Sequence, residues 1–308
     1  MNIRKIDTNA VIACFTRAVD LGGRNPKAVF GAALLALAVV FGLGTVVMLA
    51  AIAVALGAGF DPKVAGPAAG LALVAPLMLV YMVLMPVLGG GMMHVVHESE
   101  SGRPVSALGV FAGFSGGRLL SLAGLAILPL AGLALTLLNY RVFGGPTYFA
   151  EYTAMMEAAM QGMPPVPPEA RSPALRFIVG MLLTALQNLL QLVTVPAVQL
   201  GRRSTLGAIA DGLAMVRHNP GPSLLLLVLG FAAMLAVALV MVVVAVVLGV
   251  IAGLLPLLGV PLALLVMLAF AAVLVVVYTG VSYFAWHSQF APEDPAAGPP
   301  PVPAQFEA

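Results

Sequence analysis

Between Asn219 and Trp286 the sequence reads NPGPSLLLLVLGFAAMLAVALVMVVVAVVLGVIAGLLPLLGVPLALLVMLAFAAVLVVVYTGVSYFAW. This stretch contains no charged residue and no histidine. An α-helix needs about 20 apolar residues to cross the roughly 30 Å of bilayer hydrocarbon, so a stretch of this length predicts two crossings. We place them at residues 223–252 and 262–288. The helix-breaking residues between them predict an apolar turn: Gly253, Pro256, Gly259 and Pro261.

Four further stretches lack charged residues and predict spans at 28–58, 64–93, 119–140 and 177–201. Soluble domains carry about a quarter of their residues as charged side chains, whereas only 8% of these 308 residues are charged and 61% are hydrophobic. A charge near the bilayer centre costs roughly 2.5 to 3.5 kcal/mol, which explains the segregation. We therefore expect an all-α fold, a polytopic membrane helical bundle that forms a single transmembrane domain over residues 1–290.

The basic residues separate onto two sides of these spans. The side that holds both termini carries most of the 14 lysines and arginines. The other side carries Lys63, Arg141, Arg171 and Arg176. By the positive-inside rule we expect both termini in the cytoplasm, and an Arg- and Ala-rich composition favours a bacterial inner membrane. Residues 141–176 then form an outer loop, and the proline-rich residues 291–308 form a disordered cytoplasmic tail.

A repeated pattern leads into three of the spans. Two pairs of segments are similar: AVDLGGR at 18–24 with AGFSGGR at 112–118, and SALGVFA at 106–112 with STLGAIA at 204–210. The pairs Asn25-Pro26 and Asn219-Pro220 stand just before the first and fifth spans, where proline ends one helix and begins the next. We therefore predict three repeats, each a cytoplasmic amphipathic helix followed by a transmembrane hairpin.

The amphipathic pattern is clearest in the third repeat. Four apolar residues there share one helical face: Leu206, Ile209, Leu213 and Val216. Asp211 and Arg217 lie off that face, which is typical of a helix in the plane of the lipid headgroups. Asp7 and Ser204 are the predicted N-caps of the outer two amphipathic helices.

A family resemblance rests on three features. They are the segment GGMMHVVHESESGRPVSALGVFAGF at 90–114, the sequence Arg24-Asn25-Pro26, and the repeated layout. Together these resemble an uncharacterised family of proteobacterial six-helix inner-membrane proteins, of the domain-of-unknown-function type. The resemblance covers most of the chain. It implies the fold and the location but no known reaction, and the Met- and Pro-rich outer loop departs from the family pattern.

The fourth span is the most polar. Six of its polar residues share one helical stripe: Thr184, Gln187, Asn188, Gln191, Thr194 and Gln199. The stripe has to face protein or water, because amides bare to lipid lack hydrogen-bond partners. Hydrogen bonding between helices explains it, and so does a polar pathway or ligand groove at Thr184, Gln187, Asn188 and Gln191. No charged residue lies within any predicted span, which argues against ion-coupled transport.

Two clusters have a composition that metals favour. His94, His97 and Glu98 lie at helical spacing at the end of the second span, but they form no zinc-protease pattern and histidines are common at interfaces. The outer loop carries a face of tyrosines and methionines: Tyr148, Tyr152, Met155, Met156, Met160 and Met163. Copper(I) suits thioethers, but an amphipathic helix on the outer leaflet explains the same spacing. We predict no metal site and no cofactor.

Enzyme signatures are also lacking, since no serine lies in a nucleophile motif and no carboxylate pair lies in a span. The sequence therefore predicts a non-enzymatic integral membrane protein that organises or regulates membrane components or partner proteins. Membrane lipids are the expected partners, with protein partners or a homo-oligomer also open. A nucleic-acid partner is not indicated, because no basic cluster is interleaved with aromatic residues. The alternative is a transporter or channel for a small neutral or weakly polar solute.

Overall fold

A computed structural model describes residues 3–57 and 66–290 of the chain, and this described part contains helices and no β-strand. The helices are α1 (Thr8–Arg24), α2 (Pro26–Gly57), α3 (Gly66–Glu100), α4 (Leu119–Gly124), α5 (Ile127–Asn139), α6 (Tyr148–Met160), α7 (Pro173–Gln199), α8 (Thr205–His218), α9 (Pro220–Leu254) and α10 (Pro256–Phe290). A 3-10 helix covers Ala107–Phe114, and a π-helical turn covers Tyr140–Gly144.

Six helical segments are long and apolar enough to cross a membrane. They are Pro26–Gly57, Val74–Glu100, Leu119–Gly144, Pro173–Gln199, Pro220–Leu254 and Gly259–Phe290. The mean hydropathy of their most apolar windows lies between 1.7 and 3.2. The predicted all-α fold and the predicted number of apolar spans are therefore confirmed, and the chain has the architecture of a multi-pass integral membrane protein.

The ends of the spans differ from the predicted ones. α3 continues past the predicted end at residue 93 to Glu100, because nothing breaks the helix before Gly102, which adopts φ +68°. The third span is interrupted between α4 and α5 at Leu125 and Ala126. The predicted outer loop 141–176 contains α6. Residues 58–65, where the first span was predicted to end, and the predicted tail 291–308 lie outside the described residues.

The predicted turn between the last two spans is shorter than expected. α9 runs to Leu254 and α10 begins at Pro256, so Gly259 and Pro261 lie inside α10 and not in a turn. Proline fits the first helical position, where its missing N–H has no intrahelical partner. Glycine is required at position 259, because a Cβ there would overlap the backbone of Ala252 on α9. The hairpin therefore closes tightly.

A short helical segment precedes the first, third and fifth spans: α1, the 3-10 helix and α8. The predicted N-caps are confirmed, because the Asp7 carboxylate accepts the Ala10 N–H at 2.8 Å and the Ser204 hydroxyl accepts the Gly207 N–H at 3.2 Å. The segment before the third span is a 3-10 helix where an α-helix was predicted. Close contact of its backbone with α3 accompanies this tighter winding.

Each of these three segments packs against a span that another hairpin supplies. α1 packs on α10, the 3-10 helix on α3, and α8 on α7. Glycines permit the close approach in each case. A Cβ on Gly280 of α10 would lie 2.8 Å from the Ala18 Cβ, one on Gly212 of α8 would lie 2.9 Å from Leu190 Cδ2, and one on Gly91 of α3 would overlap the Val110 carbonyl.

The packed core lies at one end of the bundle. We call this the terminal end, because the Arg4 N–H donates to the Gln289 carbonyl there at 3.1 Å. The opposite end, which we call the distal end, holds Gly57 and Leu254. Buried apolar side chains of α2, α3 and α7 lie almost entirely in their terminal halves. In the distal halves large apolar side chains are exposed, including Val54 at 72% and Leu239 at 69%.

Candidate functional site

The polar stripe on α7 divides into two parts. Its distal part holds the residues predicted to form a pathway or ligand site. Thr184 and Asn188 are exposed, while Gln187 and Gln191 are half-buried. Gln187 lies against α5, where a Cβ on Gly132 would overlap the Gln187 side-chain amide. The structure therefore directs Gln187 toward α5 and leaves Asn188 without that packing.

The distal part of the stripe lacks hydrogen-bond partners. Within residues 3–57 and 66–290, none of the side chains of Thr184, Gln187, Asn188 and Gln191 makes a hydrogen bond. The predicted hydrogen bonds between helices are therefore not formed by these side chains within the described chain. Asn188 lies near the middle of α7, about 16 Å along the axis from Gln199. An exposed amide at that depth requires a partner from water, a solute or another chain.

The terminal part of the stripe is buried. Thr194 is 0% exposed and Gln199 is 2% exposed. The Arg118 guanidinium donates to the Gln199 carbonyl at 2.6 Å and so binds the end of α7. The Thr194 hydroxyl and the Gln199 side-chain carbonyl have no hydrogen-bond partner in the described structure. This part of the stripe is a packed interior rather than an open surface.

The side chains of His94, His97 and Glu98 at the end of α3 contact different partners. His97 Nδ1 lies 3.2 Å from the Tyr283 hydroxyl on α10. Glu98 instead accepts from the Arg103 guanidinium at 2.9 Å, and His94 Nδ1 lies 3.9 Å from the Glu98 carboxylate. No group of three or more His, Cys, Asp or Glu side chains converges on a metal-sized space among the described residues. The cluster joins α3 to α10 and to the loop that follows α3.

The aromatic residues in and beside the loop between the third and fourth spans hold α6 against those spans. Tyr148 is buried and stacks on Tyr140 with ring centroids 5.5 Å apart. The Arg176 guanidinium lies over both rings and donates to the Tyr148 hydroxyl. In contrast, Tyr152 and Met156 are exposed. Of the residues predicted to share a face, Tyr148 therefore packs into the protein while Tyr152 and Met156 are directed outward; the Met160 side chain lies outside the described part.

A buried polar clamp at the terminal end was not predicted from the sequence. Asn219 is 3% exposed and Gln289 is 1% exposed. The Asn219 amide donates to the Arg4 carbonyl at 2.9 Å and to the Gln289 side-chain carbonyl at 3.1 Å, and its oxygen accepts the Ile6 N–H at 3.4 Å. One residue thus joins the N-terminal segment to the start of α9 and the end of α10. The Asn-Pro pair pointed to this residue, but only as a helix end.

A second polar contact corrects an expectation for α8. Asp211 was predicted to lie on the polar side of a surface helix, yet it is only 8% exposed. It accepts two hydrogen bonds from Arg203, at 2.6 and 3.0 Å. α8 packs on α7 through the side that holds Asp211, while Leu206 at 72% and Leu213 at 47% remain exposed. The apolar face predicted for α8 is thus divided, because Leu206 and Leu213 are directed away from the core while Ile209 and Val216 pack against it.

Comparison of the chain with protein-family models, with curated protein sequences and with solved structures finds no match. Function therefore has to follow from the chain's own residues.

Proposed function

We propose that the chain is a non-enzymatic protein of a bacterial inner membrane that organises or regulates membrane components or partner proteins. One observation carries this proposal. The buried core lies at the terminal end, while the distal halves of α2, α9 and α10 expose large apolar side chains such as Val54, Val243 and Leu264. In a membrane those faces contact lipid or other membrane chains, since the protein itself does not cover them.

The three-repeat organisation is part of the proposal. The packing of the described helices supports it, because each short helical segment contacts the second helix of the preceding hairpin: the 3-10 helix contacts α3, α8 contacts α7, and α1 contacts α10. The second helices α3, α7 and α10 also contact one another. This arrangement corresponds to a closed ring of three units, in which α1 of the first unit completes the contact with α10 of the last.

The proposed orientation places the terminal end in the cytoplasm. Basic residues at the ends of the spans support it, because Arg17, Lys27, Arg118 and Arg217 all lie in or beside the segments of the terminal end. Basic residues at that position suit the anionic headgroups of the cytoplasmic leaflet. A reporter enzyme fused after Gln289 tests the orientation. If the reporter is active only on the periplasmic side of the inner membrane, the proposed orientation is wrong.

Transport is the rival function, and a flux experiment separates the two. Purified protein is reconstituted into liposomes loaded with small neutral solutes. We expect no flux above that of empty liposomes, for both the native chain and the Asn188→Leu variant. If the native chain moves solute and Gln187→Ala or Asn188→Leu abolishes this flux, the proposed organising role is contradicted. It would also assign a pathway to the distal part of the polar stripe.

A second experiment tests the exposed faces directly. A photo-crosslinking amino acid replaces Val54 or Val243 in cells. We expect crosslinks to lipid or to a discrete membrane protein at these positions. The same group placed at Val29, which is 0% exposed, serves as the matched control and should crosslink only within the chain. Crosslinks confined to the chain at all three positions would contradict the proposal.

A further inference from the structure

A cavity of about 190 Å³ lies between α1 and α10 at the terminal end. Among the residues lining it are Ala13, Cys14, Arg17, Phe284, His287 and Ser288. Its volume is smaller than that of a pocket for a drug-sized ligand, so it can take one small chemical group. Its position is also defined, because α1 leads directly into the first span and α10 ends the last span. In the proposed orientation the cavity therefore lies at the level of the cytoplasmic lipid headgroups.

The charge around this cavity is positive. Arg17 forms no hydrogen bond and no ion pair with another described residue, although it lines the cavity. His287 lines the cavity as well, and no described carboxylate does. The Asp7 carboxylate caps α1 and Glu98 binds Arg103. Asp20, three residues from Arg17 on α1, forms no ion pair with it. An anion entering the cavity would thus find an unpaired guanidinium and an imidazole.

The neutral lining restricts what that anion can be. The Cys14 thiol and the Ser288 hydroxyl already donate to backbone carbonyls of their own helices, at 3.2 and 3.1 Å. Specific donors for a ligand are therefore Arg17 and His287. A guanidinium and an imidazole match a phosphate oxygen pair better than a bulky apolar ligand. Phe284 and Ala13 leave an apolar side, which suits a group that continues into the membrane.

We propose that this cavity binds the phosphate group of an anionic phospholipid, with Arg17 and His287 as its ligands. The proposal deepens the organising function above, because it names a lipid class and a site for it. A free phosphate ester shares the same chemistry, so the experiment has to separate the two sources. Binding here would also cover Cys14, the only cysteine of the chain.

Alkylation of Cys14 reports occupancy in the full-length protein. The rate with N-ethylmaleimide is measured in nanodiscs of phosphatidylglycerol and in nanodiscs of phosphatidylcholine. We expect alkylation about fivefold slower in phosphatidylglycerol, the factor for about one favourable charge contact at the membrane surface. Arg17→Gln and Ala13→Leu should each bring the ratio of the two rates close to one. The first removes a ligand, and the second fills the cavity without changing charge.

Arg217→Gln is the matched control, because it removes one exposed basic residue on α8 that does not line the cavity. This variant should keep the fivefold ratio of the two alkylation rates. If its ratio falls as far as that of Arg17→Gln, the site is not specific. Glycerol phosphate added to phosphatidylcholine nanodiscs at constant ionic strength tests the free source. Protection by it to the same degree would overturn the lipid assignment in favour of a soluble phosphate.

Native mass spectrometry provides a second readout that does not depend on the thiol. Native protein released from phosphatidylglycerol nanodiscs should retain more lipid than Arg17→Gln or His287→Gln, and Arg217→Gln should retain the native amount. Equal retention by all four proteins, together with equal alkylation in both lipids, would overturn the site. Solute flux through the Asn188 region would contradict the organising function while leaving Cys14 protection unchanged, so the two failures are distinguishable.

Discussion

Gly91 on α3 lies directly against the backbone carbonyl of Val110 in the 3-10 helix, and a Cβ on Gly91 would overlap that carbonyl. The reverse contact also exists, because a Cβ on Gly113 would overlap the Val87 carbonyl. Two backbones therefore meet without intervening side chains. Such contacts are typical of small residues at helix interfaces in membranes.

Gly91→Ala should destabilise the protein by about 3 kcal/mol or more, because neither backbone can move aside as a flexible side chain could. The midpoint of thermal unfolding in detergent, measured by intrinsic fluorescence, checks this. Gly230→Ala is the matched control, since a Cβ on Gly230 meets no atom within 4 Å. That control should be neutral or slightly stabilising, because alanine favours helix. Equal stability of the two variants would contradict the contact.

The Arg203–Asp211 pair should show an asymmetry between its two single variants. The Asp211 side chain is 12% exposed and the Arg203 side chain is 38% exposed. Arg203→Ala leaves a buried carboxylate without its partner and should cost about 3 kcal/mol of unfolding free energy. Asp211→Ala leaves a guanidinium that can extend into water and should cost less. The double variant should recover part of the loss, and a double-variant cycle by chemical denaturation measures it.

Asn219→Ala should loosen the N-terminal segment. It removes the hydrogen bonds to Arg4, Ile6 and Gln289, and it leaves buried polar groups without partners, at a cost of about 1 to 3 kcal/mol for each group. Limited proteolysis should then cut the segment before α1 much faster than in the native chain. Asn25→Ala is the matched control, because among the described residues the Asn25 side chain accepts only the Ala28 N–H, at 3.3 Å. Similar cleavage rates in the two variants would argue against the clamp.

Replacement of adjacent amides on α7 should have opposite effects. Asn188→Leu removes an exposed side chain without a hydrogen-bond partner, so we expect unchanged or higher thermal stability in detergent. Gln187→Leu disrupts the contact with Gly132 on α5 and should lower stability by about 1 to 3 kcal/mol. A large loss of stability for Asn188→Leu would indicate that another chain or a bound molecule satisfies this amide in the native membrane.

Burial raises the pKa of the Cys14 thiol above its ordinary value of 9.0. The thiolate is the reactive form, so alkylation of the folded protein should rise with pH later than alkylation of the chain unfolded in sodium dodecyl sulfate. The folded state binds this proton more tightly than the unfolded state. Its contribution to stability is therefore full below the unfolded pKa and is lost as the pH rises through the folded pKa. If the alkylation rates of the folded and the unfolded protein depend on pH in the same way, the thiol is not buried.

The sequence predicted those features that depend on neighbouring residues. Apolar runs gave the spans because hydropathy is a local property, and Asp7 and Ser204 were predictable as caps because each bonds a residue three positions away. The Asn219 clamp was not predictable, because its partner Gln289 is 70 positions distant. The same reason applies to Asp211, whose place on α8 suggested solvent until the packing of α8 on α7 was known. Ends of spans were less predictable than their number, since α3 continues beyond its apolar run.

The junction of Arg4 with Gln289 also bears on how the chain is made. α1 is synthesised before α10, so it has no docking surface on α10 while the intervening spans are made. Its packing on α10, and the hydrogen bond from Arg4 to Gln289, can form only after α10 has been synthesised. Closure of the terminal end is therefore a late step of folding, and a chain truncated before α10 would leave α1 without its docking surface.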